Sequence, residues 1–337
     1  MSQKEHDRRF FHSFPRPRKA EDDGVTLNRG LNILRFMKEF GLVLAPEIVQ
    51  WDVSLISGIP KKLDILQRRA CFTELSVAEL PQHSKIFGPI ALSFDLEKLR
   101  GIGATPVIYV PQGIESNPLS YIGTFCVNGA FHTSAVLKQL DNLKSQSDPE
   151  FISKQCNGMP VAPDCVLNLK NNDSVGNIVA DYSVPLSNVH NILQHVSFNS
   201  IPFAHSVAIL NMFQNIFYPT DNAHTGDELG YYRQREWRLI AADMLVNGKP
   251  ISRNLSNSEI ARLQTIDGQF WSKKILVEGV LRKRSDLAIL YDPMPDWNFF
   301  DFVEEIFVSK LAAEKVRNIV GNKISVREHP YPESGIK

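Results

Sequence analysis

The chain has 337 residues, of which 43% are hydrophobic and 22% charged, and its 37 Lys plus Arg balance 37 Asp plus Glu. This globular composition excludes a coiled coil, a fibrous chain or a mainly disordered one, and zero formal charge gives no global field toward nucleic acid or an acidic membrane. A chain of this length buries roughly 75% of its unfolded surface, so it needs no disulfide or metal to hold it.

The opening MSQKEHDRRFFHSFPRPRK lacks the apolar core of a secretory signal, and no later run approaches about 18 uninterrupted apolar residues, so a soluble cytoplasmic protein is expected. Residues 1–25 are polar and basic and read as an N-terminal surface segment. Thr26 is placed to cap the stretch LNRGLNILRFMKEFG, in which Leu27, Leu31, Leu34 and Met37 recur at helical spacing and Gly41 supplies the stop. A second short helix is expected over Ile59–Arg69, with Leu63 and Leu66 on one face.

From Cys71 to Pro111 the texture changes to the short apolar runs ACFTEL, GPIALSF and TPVIYV, which have strand length and β-branched or aromatic content. Pro89 and Pro106 suit strand entrances or edges. Residues 130–145 and 188–217 read as helical: Val189, Ile192, Leu193 and Val196 form one stripe, and Val207, Leu210 and Phe213 begin another. Between them, 146–187 supplies turns with little periodicity and reads as an inserted excursion or a second small layer. In the last third EWRLIAA, KKILVEGVL and SDLAILY read as strands, Ser256 and Glu259 form a capping box, and a strand near Glu305–Val308 precedes a helix ending at Gly321. The expected fold is therefore α+β, a single domain over 26–330 whose mixed sheet is assembled from distant segments with helices around it.

The four cysteines, Cys71, Cys126, Cys156 and Cys165, form no CxxC pair, and neither a zinc knuckle nor a redox pair is indicated. No phosphate loop, GxGxxG turn, nucleophile elbow or HExxH helix occurs. No metal site is expected, since His190 and His195 do not stack at helical spacing. The densest polar constellation is YYRQREWR. On a strand, Glu236 and Arg238 share one face while Trp237 and Leu239 share the other. Such a pair is either an internal ion pair or a site for a ribose hydroxyl and phosphate. Thr73 is read either as a helix cap or as part of a pocket, and His83 either as a proton carrier or as a residue meeting a local backbone acceptor. His12, in FFHSF, is a candidate for a ribose contact.

The block CFTELSVAELPQHSKIFGPIALSFDLEKLRGIGATPVIYV, together with YYRQREWRLI and the upstream GLNILRFMKEFGLVLAPE, resembles a bacterial family of antitoxins from an abortive phage-infection system. The resemblance implies a phage-defence or toxin-regulatory protein working through a protein partner or small ligand, the partner being a toxin or other defence component. Nucleic acid is not indicated by the net charge. A more distant resemblance is to ADP-ribosyltransferase-like proteins, which bring an early His or Arg, a middle Ser or Thr and a late Glu around nicotinamide dinucleotide. It implies an NAD-dependent ADP-ribosyltransferase or NAD glycohydrolase-like enzyme, with Glu236 and His12 as catalytic residues and Thr73, His83 and Arg238 holding the cofactor; no cofactor is indicated otherwise. Thr73, His83, Glu236 and Arg238 are expected along one groove.

Overall fold

The computed structural model describes residues 8–52, 62–110, 118–147, 166–196, 216–219, 235–240, 245–246, 249–250, 252–277, 279–291 and 298–329. The chain forms two compact units, one of Met1–Ser120 with Asn215–Lys337 and the other of Tyr121–Gln214. In chain order the first unit opens with strand β1 (Arg8–Phe14), helix α1 (Asp23–Phe40) and strands β2 (Leu42–Asp52) and β3 (Lys62–Ser76). Helix α2 (Leu80–Phe87), strand β4 (Ile90–Phe94), helix α3 (Leu96–Gly101) and the short strands β5 (Thr105–Pro106) and β6 (Ile108–Val110) follow.

Helix α4 (Pro118–Ser147) carries the chain into the second unit, which holds the antiparallel hairpin β7 (Val166–Asn172) and β8 (Ile178–Pro185) and helix α5 (Leu186–Val196). Residues 166–185, expected as part of a turn-rich excursion, are largely this hairpin. The chain returns through β9 (Phe217–Pro219), parallel to β6, then β10 (Glu236–Ile240) and the pair β11 (Leu245–Val246) and β12 (Lys249–Pro250). Strand β13 (Ser252–Asn254), helices α6 (Asn257–Ile266) and α7 (Gly268–Trp271), hairpin β14 (Lys274–Val277) and β15 (Val280–Lys283), helix α8 (Arg284–Leu287) and β16 (Ile289–Tyr291) come next. Strand β17 (Glu305–Val308), helix α9 (Lys310–Val320) and β18 (Ser325–Glu328) close the unit. No helix among the described residues is long and apolar enough to cross a membrane.

The main sheet runs β13, β16, β2, β3, β1, β4, β17, β18, with β10 on β3 and β5 on β10. Its last pair, β17 with β18, is parallel and the others are antiparallel, so the sheet is mixed and drawn from distant segments, as the α+β reading requires. One face carries Phe10, Phe14, Phe72, Leu92 and Ile306 into a core with Leu31, Leu34 and Met37 of α1 and Ala312 and Val316 of α9. On the other face Phe11, Leu75, Ala91 and Phe307 pack with Leu80 of α2.

Several local expectations change. Residues 8–14, read as part of a surface segment, form β1 between β3 and β4, with Phe10, Phe11 and Phe14 buried. A strand buried on both faces shows no polar–apolar alternation, so its period is invisible beside the neighbouring Arg and Pro residues. The expected helix over 59–69 is, from Lys62 onward, the start of β3. Eight residues of β2, Ala45–Asp52, pair with Arg69–Lys62, and this long-range ladder overrides the helical spacing of Leu63 and Leu66. Helix α1 is capped by Asp22, whose carboxylate accepts from the Gly24 amide, while Thr26 is buried inside the helix. Gly41 does end it, at φ 107°. The Ser256–Glu259 capping box is present. Val207, Leu210 and Phe213 lie outside the described residues.

Candidate functional site

The site follows from the register of five strands. Glu305 faces Ser93, Ser93 faces Phe11, Phe11 faces Thr73, and Thr73 faces Glu236 across β17, β4, β1, β3 and β10. Directly opposed residues share a sheet face. The same face therefore holds Arg69, Cys71 and Thr73 of β3 and Glu236 and Arg238 of β10, Arg238 standing opposite Cys71. Trp237 and Leu239 point the other way, Leu239 into the core and Trp237 against it with its ring 5.2 Å from that of Phe10, as the alternation of EWRLI predicts.

Glu236 and Arg238 form a buried bidentate pair. Arg238 Nε donates to Glu236 Oε1 at 2.7 Å and Nη2 donates to Oε2 at 3.1 Å, with Arg238 only 2% and Glu236 9% exposed. The Tyr109 hydroxyl also donates to Oε2, and Cys71 stands opposite Arg238 on the same sheet face. Burial alone would raise the Glu236 carboxyl, but the Arg238 guanidinium and the bonds from Arg238 and Tyr109 outweigh it and hold the group below the usual carboxylate range. Burial, together with the Glu236 charge, pushes the Cys71 thiol up to about 12, so it stays protonated and unreactive. Tyr109 is raised for the same two reasons. The ring of Tyr218 lies 4.0 Å from the Arg238 guanidinium carbon and 4.9 Å from that of Arg69, while Arg69 pairs with Glu47 at 2.5 Å.

A carboxylate has about four lone-pair sites. Glu236 receives two bonds from Arg238 and one from Tyr109, so most of its acceptor capacity is taken by its own chain. With the residue only 9% exposed, a ribose hydroxyl would have to compete with these donors in a closed site. Arg238 Nη1, by contrast, is buried and has no acceptor among the described residues.

Thr73 sits within β3 and caps no helix, because the strand runs on to Ser76 and α2 starts four residues beyond it, at Leu80. Its hydroxyl lies 3.3 Å from His83 Nε2, and His83 Nδ1 lies 3.3 Å from the Ser13 hydroxyl. His83 also stacks on Phe87 at 4.3 Å. Burial first, then the charges of Arg16 and His12, lower this imidazole to about 4. Thr73, His83, Glu236 and Arg238 thus fall on one side of the sheet. His12 does not join them. It is directly opposite Leu92, one residue out of phase with Phe11, and its ring packs between Phe14 and Phe72 at 5.6 and 5.5 Å. Its Nδ1–H donates to the Cys71 carbonyl at 2.8 Å, and burial depresses its pKa. With His12 and Glu236 on opposite faces, the trio of an ADP-ribosyltransferase-like centre is not assembled.

Tyr109, Tyr218, Arg69 and Cys71 were not among the sequence candidates. Arg69, Cys71 and Thr73 occupy alternate positions, a signal that becomes legible once 62–76 is a strand. Tyr109 lies 127 residues from Glu236 and has no local signature. Elsewhere in the unit, a cleft of about 520 Å³ is lined by Lys38, Lys98, Lys323, Asp301 and Glu304 over Phe300, and Lys98 is held 3.6 Å from Glu304. Among the described residues no group of three or more His, Cys, Asp or Glu converges as a metal site.

The fold and the site define a mixed-sheet α+β protein built around a buried, bidentate carboxylate–guanidinium pair. Residues 61–270, well over half of the chain, match the family described as "Putative abortive phage resistance protein AbiGi, antitoxin", and the chain belongs to that family. No curated protein and no solved structure matches it.

Proposed function

We propose that the protein is the toxin-neutralising member of an abortive phage-infection pair, acting in the cytoplasm by binding its cognate toxin. The family match over 61–270 carries this reading, because it takes in β3, β4 and β10, the three strands that bear Thr73, Ser93 and the Glu236–Arg238 pair. The chemistry of the pair agrees with a binding protein. A buried carboxylate held by three hydrogen bonds from its own chain stiffens the sheet that presents a binding surface and is a poor free base. A dinucleotide-using enzyme would need His12 and Glu236 on one face and Glu236 released from Arg238 and Tyr109.

The test is neutralisation. Host cells expressing the cognate toxin from an inducible promoter should stop growing, and co-expression of this protein should restore growth, with the two proteins co-eluting on gel filtration. Growth arrest unrelieved by the protein, with no complex formed, overturns the reading. So would saturable release of nicotinamide from NAD that disappears in Glu236→Gln while the fold persists.

A further inference from the structure

Several arginines of the first unit are closely paired. Arg9, Arg29, Arg69, Arg238 and Arg253 each meet a carboxylate within 2.8 Å. The β14–β15 hairpin gathers four basic side chains in one place. Lys273, Lys274, Arg282 and Lys283 are all exposed and make no ion pair among the described residues. Lys274 stands directly opposite Lys283, an arrangement that destabilises an isolated hairpin by like-charge repulsion. Two residues further along the same face, Leu276 opposes Leu281, and both are more than half exposed, at 56% and 61%. Val280 is 53% exposed on the opposite face. The two strands pair only with each other, so among the described residues both outer edges offer unpaired backbone N–H and C=O groups.

From this juxtaposition we propose that the β14–β15 hairpin is a docking edge for an extended acidic segment of the partner toxin, added as a third strand. The inference rests on the antitoxin reading and names the surface it uses. Carboxylates of the incoming strand would meet Lys274 and Lys283, its apolar side chains would cover Leu276 and Leu281, and its backbone would satisfy a free edge. Each alternative occupant leaves one of these features unmet. A second copy of this chain docking through the same patch would oppose like charges. Lipid gives the edge N–H and C=O groups no hydrogen-bond partners, and nucleic-acid phosphates would leave the Leu276–Leu281 pair uncovered. The hairpin begins four residues beyond the end of the family match at 270, so it is free to set which toxin this particular chain accepts.

The experiment titrates the purified full chain with its cognate toxin by calorimetry at low and high salt, comparing wild type with Lys274→Glu/Lys283→Glu and with Leu276→Ser/Leu281→Ser. Tryptophan-monitored melting checks that each variant is folded. Charge reversal should weaken binding about tenfold or more and remove most of the salt dependence. The serine pair should weaken binding with the salt dependence kept. Equal affinity of wild type and both folded variants overturns the hairpin proposal and leaves the antitoxin reading standing. No binding by wild type overturns the antitoxin reading, and this proposal falls with it. Parallel arms use phosphatidylcholine vesicles containing phosphatidylserine and a single-stranded oligonucleotide. If charge reversal abolishes binding to either while toxin affinity is unchanged, the surface belongs to that ligand and the proposal is overturned.

Discussion

Removing the Glu236 carboxylate should be the most damaging single change at the sheet centre. In Glu236→Ala the Arg238 guanidinium, 2% exposed and held only by that carboxylate among the described ion pairs, becomes an uncompensated buried charge. Such a loss costs about 3–5 kcal/mol, far more than the net worth of the pair against an apolar replacement. For a unit of this size about 2–4 °C accompanies each kcal/mol, so the melting temperature should fall by about 6–20 °C. All four tryptophans lie in the first unit and none in 121–214, so tryptophan fluorescence during urea or thermal unfolding reads the affected unit alone. Arg238→Ala should be comparably damaging, and the double variant should be less destabilised than the sum, with a coupling of about 2–3 kcal/mol. The pH dependence has a fixed sign. The folded-state pKa of Glu236 is lowered, so its contribution is present above the ordinary carboxylate value and is lost as pH falls through the folded value. Wild type should therefore lose stability in acid more steeply than Glu236→Gln. A cost below about 1 kcal/mol for Glu236→Ala, or additivity within about 0.5 kcal/mol in the double variant, refutes the account.

Burial, Arg16 and His12 lower His83 to about 4, so the native state keeps it neutral. Its contribution is complete above the unfolded value of 6.5 and is lost as pH falls from there toward about 4. His83→Gln should flatten the stability–pH slope in that window, and an unchanged slope contradicts the assignment. Gly88→Ala places a Cβ 2.3 Å from the Phe14 carbonyl carbon at φ +131°, so it should cost more than about 3 kcal/mol or abolish soluble expression; a near-wild-type melt refutes this. Ser256→Ala removes the cap that accepts the Glu259 amide and should cost about 1 kcal/mol in urea unfolding, whereas Ser258→Ala should cost less than half of that.

The parts of the fold legible in the sequence are those written in short-range chemistry. Gly41 and Gly321 end their helices, Ser256 and Glu259 begin one, and EWRLI alternates so that the parity of Glu236 and Arg238 follows from the strand assignment alone. The unread parts depend on partners far along the chain. FFHSF has aromatic residues on both sides because β1 lies between two strands and under helices on both faces, and no local pattern distinguishes that from a greasy tail. LDILQRR became a strand because LVLAPEIVQWD pairs with it. For the site, the facing of Thr73 and Glu236 was accessible as an expectation, but the side of the sheet taken by His12 was not. That side depends on whether Phe11 or His12 stands opposite Ser93, and a register shift of one residue exchanges them.

The same parity explains why an ion pair that adds little net stability occupies the centre of this sheet. If β10 slipped by one residue against β3, Glu236 and Arg238 would turn toward Phe10, Phe72 and Leu239's neighbours in the apolar core, where Tyr109, Cys71 and Tyr218 could not follow. Two unsolvated charges without those donors cost several kcal/mol each, whereas a slipped apolar strand would lose only part of its packing. The pair thus discriminates between registers more strongly than any hydrophobic residue of β10 does. It matters most here because β10 returns to the unit after the segment 121–214, so no short hairpin loop is present to set its alignment on β3. The pair is thus a charged register lock for a strand that reaches the sheet late in the chain.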